Sequence, residues 1–337
     1  MSNVLKSLNG ALHAMMEADP RIVLMGEDLL DPYGGAFKVS KGLSDRFPAQ
    51  VLTTPISEAG FVGVAAGMAM RGIRPIVEIM FGDFLLLAAD QLLNHICKYR
   101  WMYNDQVQVP ITIRAPMGGR RGYGPTHSQT VEKHFIGMPG LRVVAPSPFH
   151  DPGELLRQTV LDDGPALFVE NKLMYSRPLQ QADEGGRLGP LFVRSSGGRW
   201  PTMTLSYDAF EEADVTIVAY GGMAELAQQA AEALLMQEEI YAEVVVPSAI
   251  NPLDVAPIAA SLRRSGRLLV CEEAPQTAGW GAEVIRRVAV EHFGLLRAAP
   301  SHVAALDLPI ANTEPLEAAI LPQREAIIAR AIACATR

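Results

Sequence analysis

The segment "TTPISEAGFVGVAAGMAM" (53–70) places one carboxylate, Glu58, ahead of a run with no charge and many small residues. An unpaired carboxylate is costly to bury, so its position invites two readings. Either Ser57 or Glu58 starts a helix and the carboxylate meets its positive end. Or the close-packed surroundings desolvate the group, raise its pKa and let it share a proton with a heterocycle nitrogen. A second candidate is "GGRRGYGPTHSQ" (118–129), which is glycine-rich, carries Arg120 and Arg121 and ends at His127, Ser128 and Gln129. It is a surface loop, or an active-site loop at the carboxyl end of a strand, where α/β sheets place their ligands. In the second case His127 acts as an acid/base or charge-stabilising group. The arginines then meet an anionic substrate or a partner chain.

Three further stretches carry candidates. Phe84 in "EIMFGDFLLLAADQ" (78–91) is core or a platform for a planar cofactor. "MGED" (25–28) ends a strand with Glu27 and Asp28, as a solvated edge or one wall of a cleft. "EEAPQTAGWGAEV" (272–284) puts glycines around Trp280 at a helix start, which binds anions in principle but more often serves turns and packing. The chain has no G-x-S-x-G elbow, no G-x-G-x-x-G fingerprint and no Walker A sequence. Hydrolase and nucleotide chemistry are therefore not favoured.

These residues need a scaffold, and apolar runs supply it. "RIVLMGED" (21–28), "RPIVEIM" (74–80), "VPITIRAP" (109–116), "LRVVAP" (141–146) and "ALFVEN" (166–171) predict strands of a parallel sheet covered on both faces. Residues 59–71, 84–104 and 151–162 predict helices, the last with a capping box from Asp151 to Glu154. Residues 180–212 break the alternation with glycines and prolines, and predict a connector with little regular structure. Beyond it, strands at 214–222, 241–247, 267–274 and 301–307 alternate with helices at 223–237, 256–264, 279–293 and 323–335. The fold class is α/β with two doubly wound domains: 1–180, a connector at 181–212, and 213–337.

At 337 residues the chain is long enough for two cores, and 49% hydrophobic with 20% charged residues is ordinary for a globular protein. A net charge of −8 without a long basic stretch argues against nucleic acid as a partner. Apolar runs stop short of the roughly 18 residues a membrane span needs. The first twenty residues, "MSNVLKSLNGALHAMMEADP", read as an amphipathic helix ending near Asp19-Pro20, with no signal-like apolar core. Cys97, Cys271 and Cys334 are far apart with no C-x-x-C, so neither a disulfide framework nor a zinc site is indicated. A cytoplasmic location is expected.

Taken in order, "GED…GGAFKVSKGL", "TPISEAGFVGVAAGMAM-RGIRPIVEIMFGDF", "AADQLLNHICKYRW", "THSQ", "PGLRVVAPSPFHDPGELL", "ENKLMY" and "EEAPQTAGWGAEV" resemble one family. It is the beta subunit of the thiamine-diphosphate-dependent first component of 2-oxo acid dehydrogenase complexes, of pyruvate, branched-chain and acetoin types. The likeness spans nearly the whole chain and weakens at 180–212. It implies a pyrimidine-binding domain followed by a transketolase-type carboxyl-terminal domain. The glutamate of the family's T-P-I-x-E motif falls on Glu58; there it bonds a ring nitrogen of the aminopyrimidine and promotes the tautomer that deprotonates the thiazolium carbon. The family's stacking aromatic falls on Phe84 and its active-site histidine on His127, which steadies the substrate carboxylate or acts in acyl transfer to a lipoyl group. Glu27, in the G-E-[DE] segment, is implied to lie near the cofactor pocket.

The G-D-G segment that holds diphosphate and magnesium in thiamine enzymes is absent; the nearest stretch is "FGDF" (81–84). The resemblance therefore implies that an alpha subunit supplies Mg2+ and the diphosphate half, in an α2β2 heterotetramer. A lipoyl acyltransferase is the implied further partner. The likeness also implies a potassium site near Ile111, Thr112, Thr159, Asp162 and Gly164, with Asp162 its charged donor. The chain departs from the family at Leu87, Gly137 and the Arg120-Arg121 pair. The leading function is oxidative decarboxylation of a 2-oxo acid or cleavage of an acyloin such as acetoin. Its alternatives are a split transketolase-like carboligase and a non-catalytic structural subunit.

Overall fold

In the computed structural model, which describes residues 3–207 and 212–336, the five apolar runs of the first half and one further segment that none of them predicted, Val51–Thr53, form six parallel strands. They are β1 (Ile22–Gly26), β2 (Val51–Thr53), β3 (Arg74–Glu78), β4 (Thr112–Met117), β5 (Arg142–Val144) and β6 (Ala166–Asn171). Their spatial order is β5-β6-β4-β3-β1-β2, with neighbours parallel throughout. Every residue of β1 and β4 is buried, because helices cover both faces. The helices of this half are α1 (Val4–Ala18), α2 (Leu43–Arg46), α3 (Glu58–Met70), α4 (Cys97–Met102) and α5 (Pro152–Val160).

The second half holds β7 (Arg187–Leu188), β8 (Leu191–Ser195), β9 (Thr202–Ser206), β10 (Val215–Ala219) and β11 (Ala242–Pro247). Three more strands follow: β12 (Ala249–Asn251), β13 (Leu268–Pro275) and β14 (Ser301–Ala305). Its sheet runs β14-β13-β10-β11-β9-β8-β7. Helices α6 (Met223–Glu238), α7 (Ala256–Ser265), α8 (Trp280–Glu291), α9 (Glu314–Ile320) and α10 (Arg324–Ala335) complete it.

Four expectations change. The stretch 180–212, expected to lack regular structure, contributes β7, β8 and β9 as an antiparallel edge of the second sheet. Its glycines make turns: Gly197 and Gly198, at φ of 73° and 80°, reverse the chain between β8 and β9. Leu191 and Leu205 bury the inner face of this meander. Residues 208–211 of the expected connector lie outside the described residues.

Secondly, β12 leaves the second half and pairs antiparallel with β5, so the first sheet is closed by a strand from beyond the connector. Thirdly, the single helix expected over 84–104 is a 3-10 turn (82–88), a π-helical stretch (91–96) and α4. Fourthly, Asp151 caps α5 through Gly153 N and Glu154 N, but the Glu154 carboxylate turns to Arg157 and Gln158 instead of closing a capping box.

Cys97, Cys271 and Cys334 are free thiols. Among the described residues no helix is long and apolar enough to cross a membrane.

Candidate active site

The parallel strands of the first sheet deliver their following residues to one edge, which is where such sheets hold ligands. Glu27 follows β1, Glu58 opens α3 after β2, Phe84 lies in the turn after β3, and His127 in the loop after β4. Lys172 follows β6. The sheet thus brings Glu27 and Glu58 together, and Phe84 and His127 together.

Glu27 and Glu58 are both buried, at 6% and 5% exposure. Burial, then the charges of Glu58 and Asp28, hold the Glu27 carboxyl above the usual range. Its Oε1 has no hydrogen-bond partner among the described residues, and none is present for the Glu58 carboxylate. Ser57 is the N-cap and Glu58 the first residue of α3, as the helix-start reading expects, although Ser57 makes no side-chain cap bond. A buried carboxylate oxygen without a donor, as Glu27 Oε1 is, is an arrangement that folding alone disfavours.

The small residues of α3 do not all serve packing inside the chain. Phe61, Val62, Ala65, Ala66 and Ala69 form the buried face. A Cβ added at Gly67 would meet nothing within 4 Å, and Val64 is 59% exposed. The close packing expected around the whole helix is therefore confined to one side.

His127 stands edge-on to two rings. Its centroid lies 4.8 Å from Phe81 and 5.2 Å from Phe84, both T-shaped. Tyr123 meets Phe81 at 6.0 Å, and Phe37 meets it at 5.5 Å. Thr126 Oγ1 lies 2.9 Å from His127 Nδ1. One face of the site is thus an aromatic wall with an imidazole set into it.

The loop that carries His127 is suspended from charged side chains. Glu273, in β13, accepts from Gly119 N at 2.7 Å. Glu317, in α9, accepts from Arg120 N at 2.7 Å and from Gly122 N at 3.2 Å. Asp83 accepts from Gln129 Nε2 at 2.9 Å, and Lys172 Nζ donates to the main-chain oxygen of His127. Carboxylates accepting main-chain N–H groups make strong, directional contacts. Arg120 sits at φ 67°, and its guanidinium turns inward to Gln323 Oε1 at 3.1 Å and to Pro322 O. It joins the two domains, whereas the sequence reading had it meeting a substrate or partner. Arg121 remains exposed, 5.4 Å over the Tyr123 ring and 5.9 Å over Phe37.

Behind the wall, Arg114 in β4 is fully buried between Glu78 (2.7 Å) and Glu170 (2.7 and 2.8 Å). Tyr175 OH donates to Glu170 at 2.7 Å. This network pins β3, β4 and β6 side by side below the loop ends. At the domain contact Tyr220 OH donates to Glu132, whose carboxyl burial pushes up to about 7. Glu132 Oε2 and Thr130 Oγ1 are buried without partners beside a cavity of about 20 Å3, room for one water.

One expectation for a ligand group changes, and the residues of another are now placed. The α8 start, read as able to bind an anion, is taken by the chain itself: Glu272 accepts from Trp280 N at 2.9 Å and Gly281 N at 2.8 Å. In the expected potassium group, the Asp162 carboxylate is held by Arg199 at 2.6 Å and Arg142 at 3.7 Å. Its main-chain oxygen accepts from Arg74 Nη1 at 3.0 Å. Ile111 O and Thr159 O accept main-chain N–H groups at 2.9 and 3.2 Å. Ile111 O and Asp162 O each accept one N–H, which leaves their second lone pair unassigned.

Sequence reasoning missed Lys172, Asp83, Glu273 and Glu317 as parts of the site. Lys172 stands inside "ENKLMY" and Glu273 inside "EEAPQ", where a charge at a strand end carries no spacing signal for a contact with a distant loop. Glu317 carries no local signal at all.

Comparison with known proteins supplies the remaining observation. The transketolase pyrimidine-binding domain model matches residues 2–178, and the transketolase C-terminal domain model matches 209–327. The chain is 39% identical over 326 residues to "Pyruvate dehydrogenase E1 component subunit beta-2, mitochondrial" of Oryza sativa subsp. japonica, covering 96% of this chain and 84% of the relative. It is 34% identical over 334 residues to "Acetoin:2,6-dichlorophenolindophenol oxidoreductase subunit beta" of Cupriavidus necator, covering 96% and 95%. A solved structure titled "Split gene transketolase, inactive beta4 tetramer" superposes with a TM-score of 0.75 at 21% identity, covering 100% of this chain and 99% of that one. That likeness shows the fold.

Proposed function

The chain belongs to the family of beta subunits of thiamine-diphosphate-dependent 2-oxo acid dehydrogenases, and from that membership we propose that it decarboxylates a 2-oxo acid together with an alpha subunit. The observation that carries the site assignment is the buried, donor-free pair Glu27–Glu58 at the sheet edge that also holds Phe84 and His127. A cationic or N–H-bearing heterocycle would supply the donors this pair lacks. When bound, thiamine diphosphate supplies the nucleophilic carbon and the electron sink that decarboxylation needs.

In this reading Glu58 holds a proton shared with the aminopyrimidine, and Glu27 keeps the neighbouring wall polar. Phe84 offers its ring to the cofactor. His127 carries the charge or proton needed at the substrate carboxylate or at the acyl acceptor. Burial of the glutamates keeps water from the transferred proton. The proposal leaves Mg2+ and the diphosphate to the alpha subunit, since this chain has no G-D-G segment.

An α2β2 assembly and a lipoyl acyltransferase as acceptor are part of the proposal, and so is a cytoplasmic location. Exposed apolar side chains on adjoining elements support a large partner surface. They are Val64 and Met70 on α3, Leu86 and Leu87 in the turn after β3, and Trp101 and Met102 on α4.

The test is binding. Titrated calorimetrically with thiamine diphosphate and magnesium, the isolated chain should bind weakly, and the complex with its alpha partner tightly. Tight magnesium-dependent binding by the isolated chain would sink the shared-site reading.

A further inference from the structure

Lys172 is used by no step above, yet it is 1% exposed and lies directly under the histidine loop. Its ammonium donates to the main-chain oxygen of His127. It lies 5.1 Å from the centroid of Phe81 and 5.5 Å from that of Tyr123, rings of the wall in which His127 is set. Asp83 is close enough to act on it electrostatically, and Asp83 Oδ2 is buried without a hydrogen-bond partner. An ammonium has three N–H donors, and only one is placed on a protein acceptor here.

We propose that Lys172 is the positioning residue for His127, and that the positive charge it holds beneath the loop favours substrates bearing a carboxylate over neutral ones. The inference rests on the functional reading above and deepens it, because the relatives include proteins named for pyruvate and for acetoin. Pyruvate is an anion and acetoin is neutral, so a buried cation beneath the loop that carries His127 separates them in energy. Low local polarity lengthens the reach of that charge.

The charged surroundings of Lys172 come from four elements. Asp83, from the turn after β3, Glu273, from β13, and Glu317, from α9, favour the ammonium. Arg121, from the loop itself, opposes it. Burial is the largest influence and pushes the ammonium down to about 8. The positive charge therefore fades just above neutral pH, while an arginine at the same place would keep its charge.

The test uses the complex with its alpha partner, with pyruvate and acetoin as substrates. Lys172→Met should lower kcat/KM for both substrates by releasing His127, and should lower it for pyruvate about 10-fold or more beyond the loss for acetoin. Lys172→Arg should restore most of the pyruvate rate. It should also move the alkaline fall of kcat/KM, expected near pH 8 in the wild type, to higher pH. In the isolated chain, Lys172→Met should speed hydrogen exchange over 118–129 and leave α6 and β10 unchanged. Equal loss on both substrates, an unmoved alkaline limb in Lys172→Arg, or unchanged exchange over 118–129 would each overturn the proposal. If Lys172→Met does not fold, the Lys172→Arg pH profile still decides. A wild type that turns over neither compound fails the functional reading and the specificity half with it, while the exchange measurement decides the positioning half.

Discussion

Glu273 Oε1 accepts the main-chain N–H of Gly119 at 2.7 Å, although 154 residues separate them in the chain. Glu317, 197 residues from Arg120, does the same one position along. The second domain therefore supports the loop that carries His127, and its contribution is mechanical as well as architectural. Replacing Glu317 by Ala should destabilise the chain by about 1–3 kcal/mol, the usual cost of orphaning buried donors. Glu317→Gln keeps one acceptor but turns an NH2 group toward the other N–H, so it should recover only part of the loss. Urea unfolding reads the first effect, and hydrogen exchange over 118–122 reads the release of the loop.

Glu58 should behave oppositely in stability and in activity. Its carboxylate opens α3 without a hydrogen-bond donor among the described residues and repels Glu27, so Glu58→Gln exchanges a favourable helix-end charge for relief of that repulsion. The isolated chain should melt at the same temperature as the wild type or higher. In the reconstituted complex the same substitution should reduce decarboxylation by about 10²- to 10⁴-fold, the range for loss of a positioned proton-transfer group. Full activity of Glu58→Gln would refute the assigned role.

Arg120 points at the domain contact and Arg121 at solvent beside the aromatic wall. Arg120→Ala should cost about 0.5–1.5 kcal/mol through its lost hydrogen bonds and leave KM for a 2-oxo acid unchanged. Arg121→Ala should raise KM in a salt-dependent way, because an exposed charge acts through a screened field. Steady-state kinetics at two ionic strengths separates the two.

Two buried groups act on stability in opposite directions over about pH 4 to 7. Glu132 is held near 7, above its ordinary value of 4.5, by burial. A group with a raised folded pKa contributes fully below 4.5, and its contribution is lost as pH rises through about 7. His150 is pushed down to about 4 by burial. Its Nδ1 accepts from Ser147 N at 3.1 Å, so protonation there breaks a bond. That contribution is present above 6.5 and disappears as pH falls through about 4. The two windows overlap and largely offset in the wild type, so thermal melts of Glu132→Gln, which keeps only the His150 effect, should rise more steeply between pH 4 and about 6.5 and match the wild-type profile in shape above 7.

Much of the frame was legible because it is written in local terms. Runs such as "ALFVEN" predict β6 at its observed bounds, Ala166–Asn171, since a strand buried on both faces needs continuous apolar residues. The edge strands β7 to β9 were not legible. Their glycines mark hairpin turns as readily as a linker, and only the partner strand decides between them. The short β12 escaped for the same reason: three residues acquire strand geometry from β5, which lies outside their own segment.

Within the site, Glu27, Glu58, Phe84 and His127 were named from residue types and motif order; Glu27, Phe84 and His127 follow strands legible in their own composition, whereas the short β2 before Glu58 was not predicted. Proximity was a different matter. That His127 meets Phe81 and Phe84 edge-on, that Arg120 turns inward, and that Glu273, Glu317 and Lys172 hold the loop are contacts between distant segments. The sequence by itself determined which chemical groups would stand at the sheet edge. Tertiary structure alone decided which charges lie close enough to hold them, because electrostatic and hydrogen-bond energies depend on distance through space and leave no periodicity along the chain.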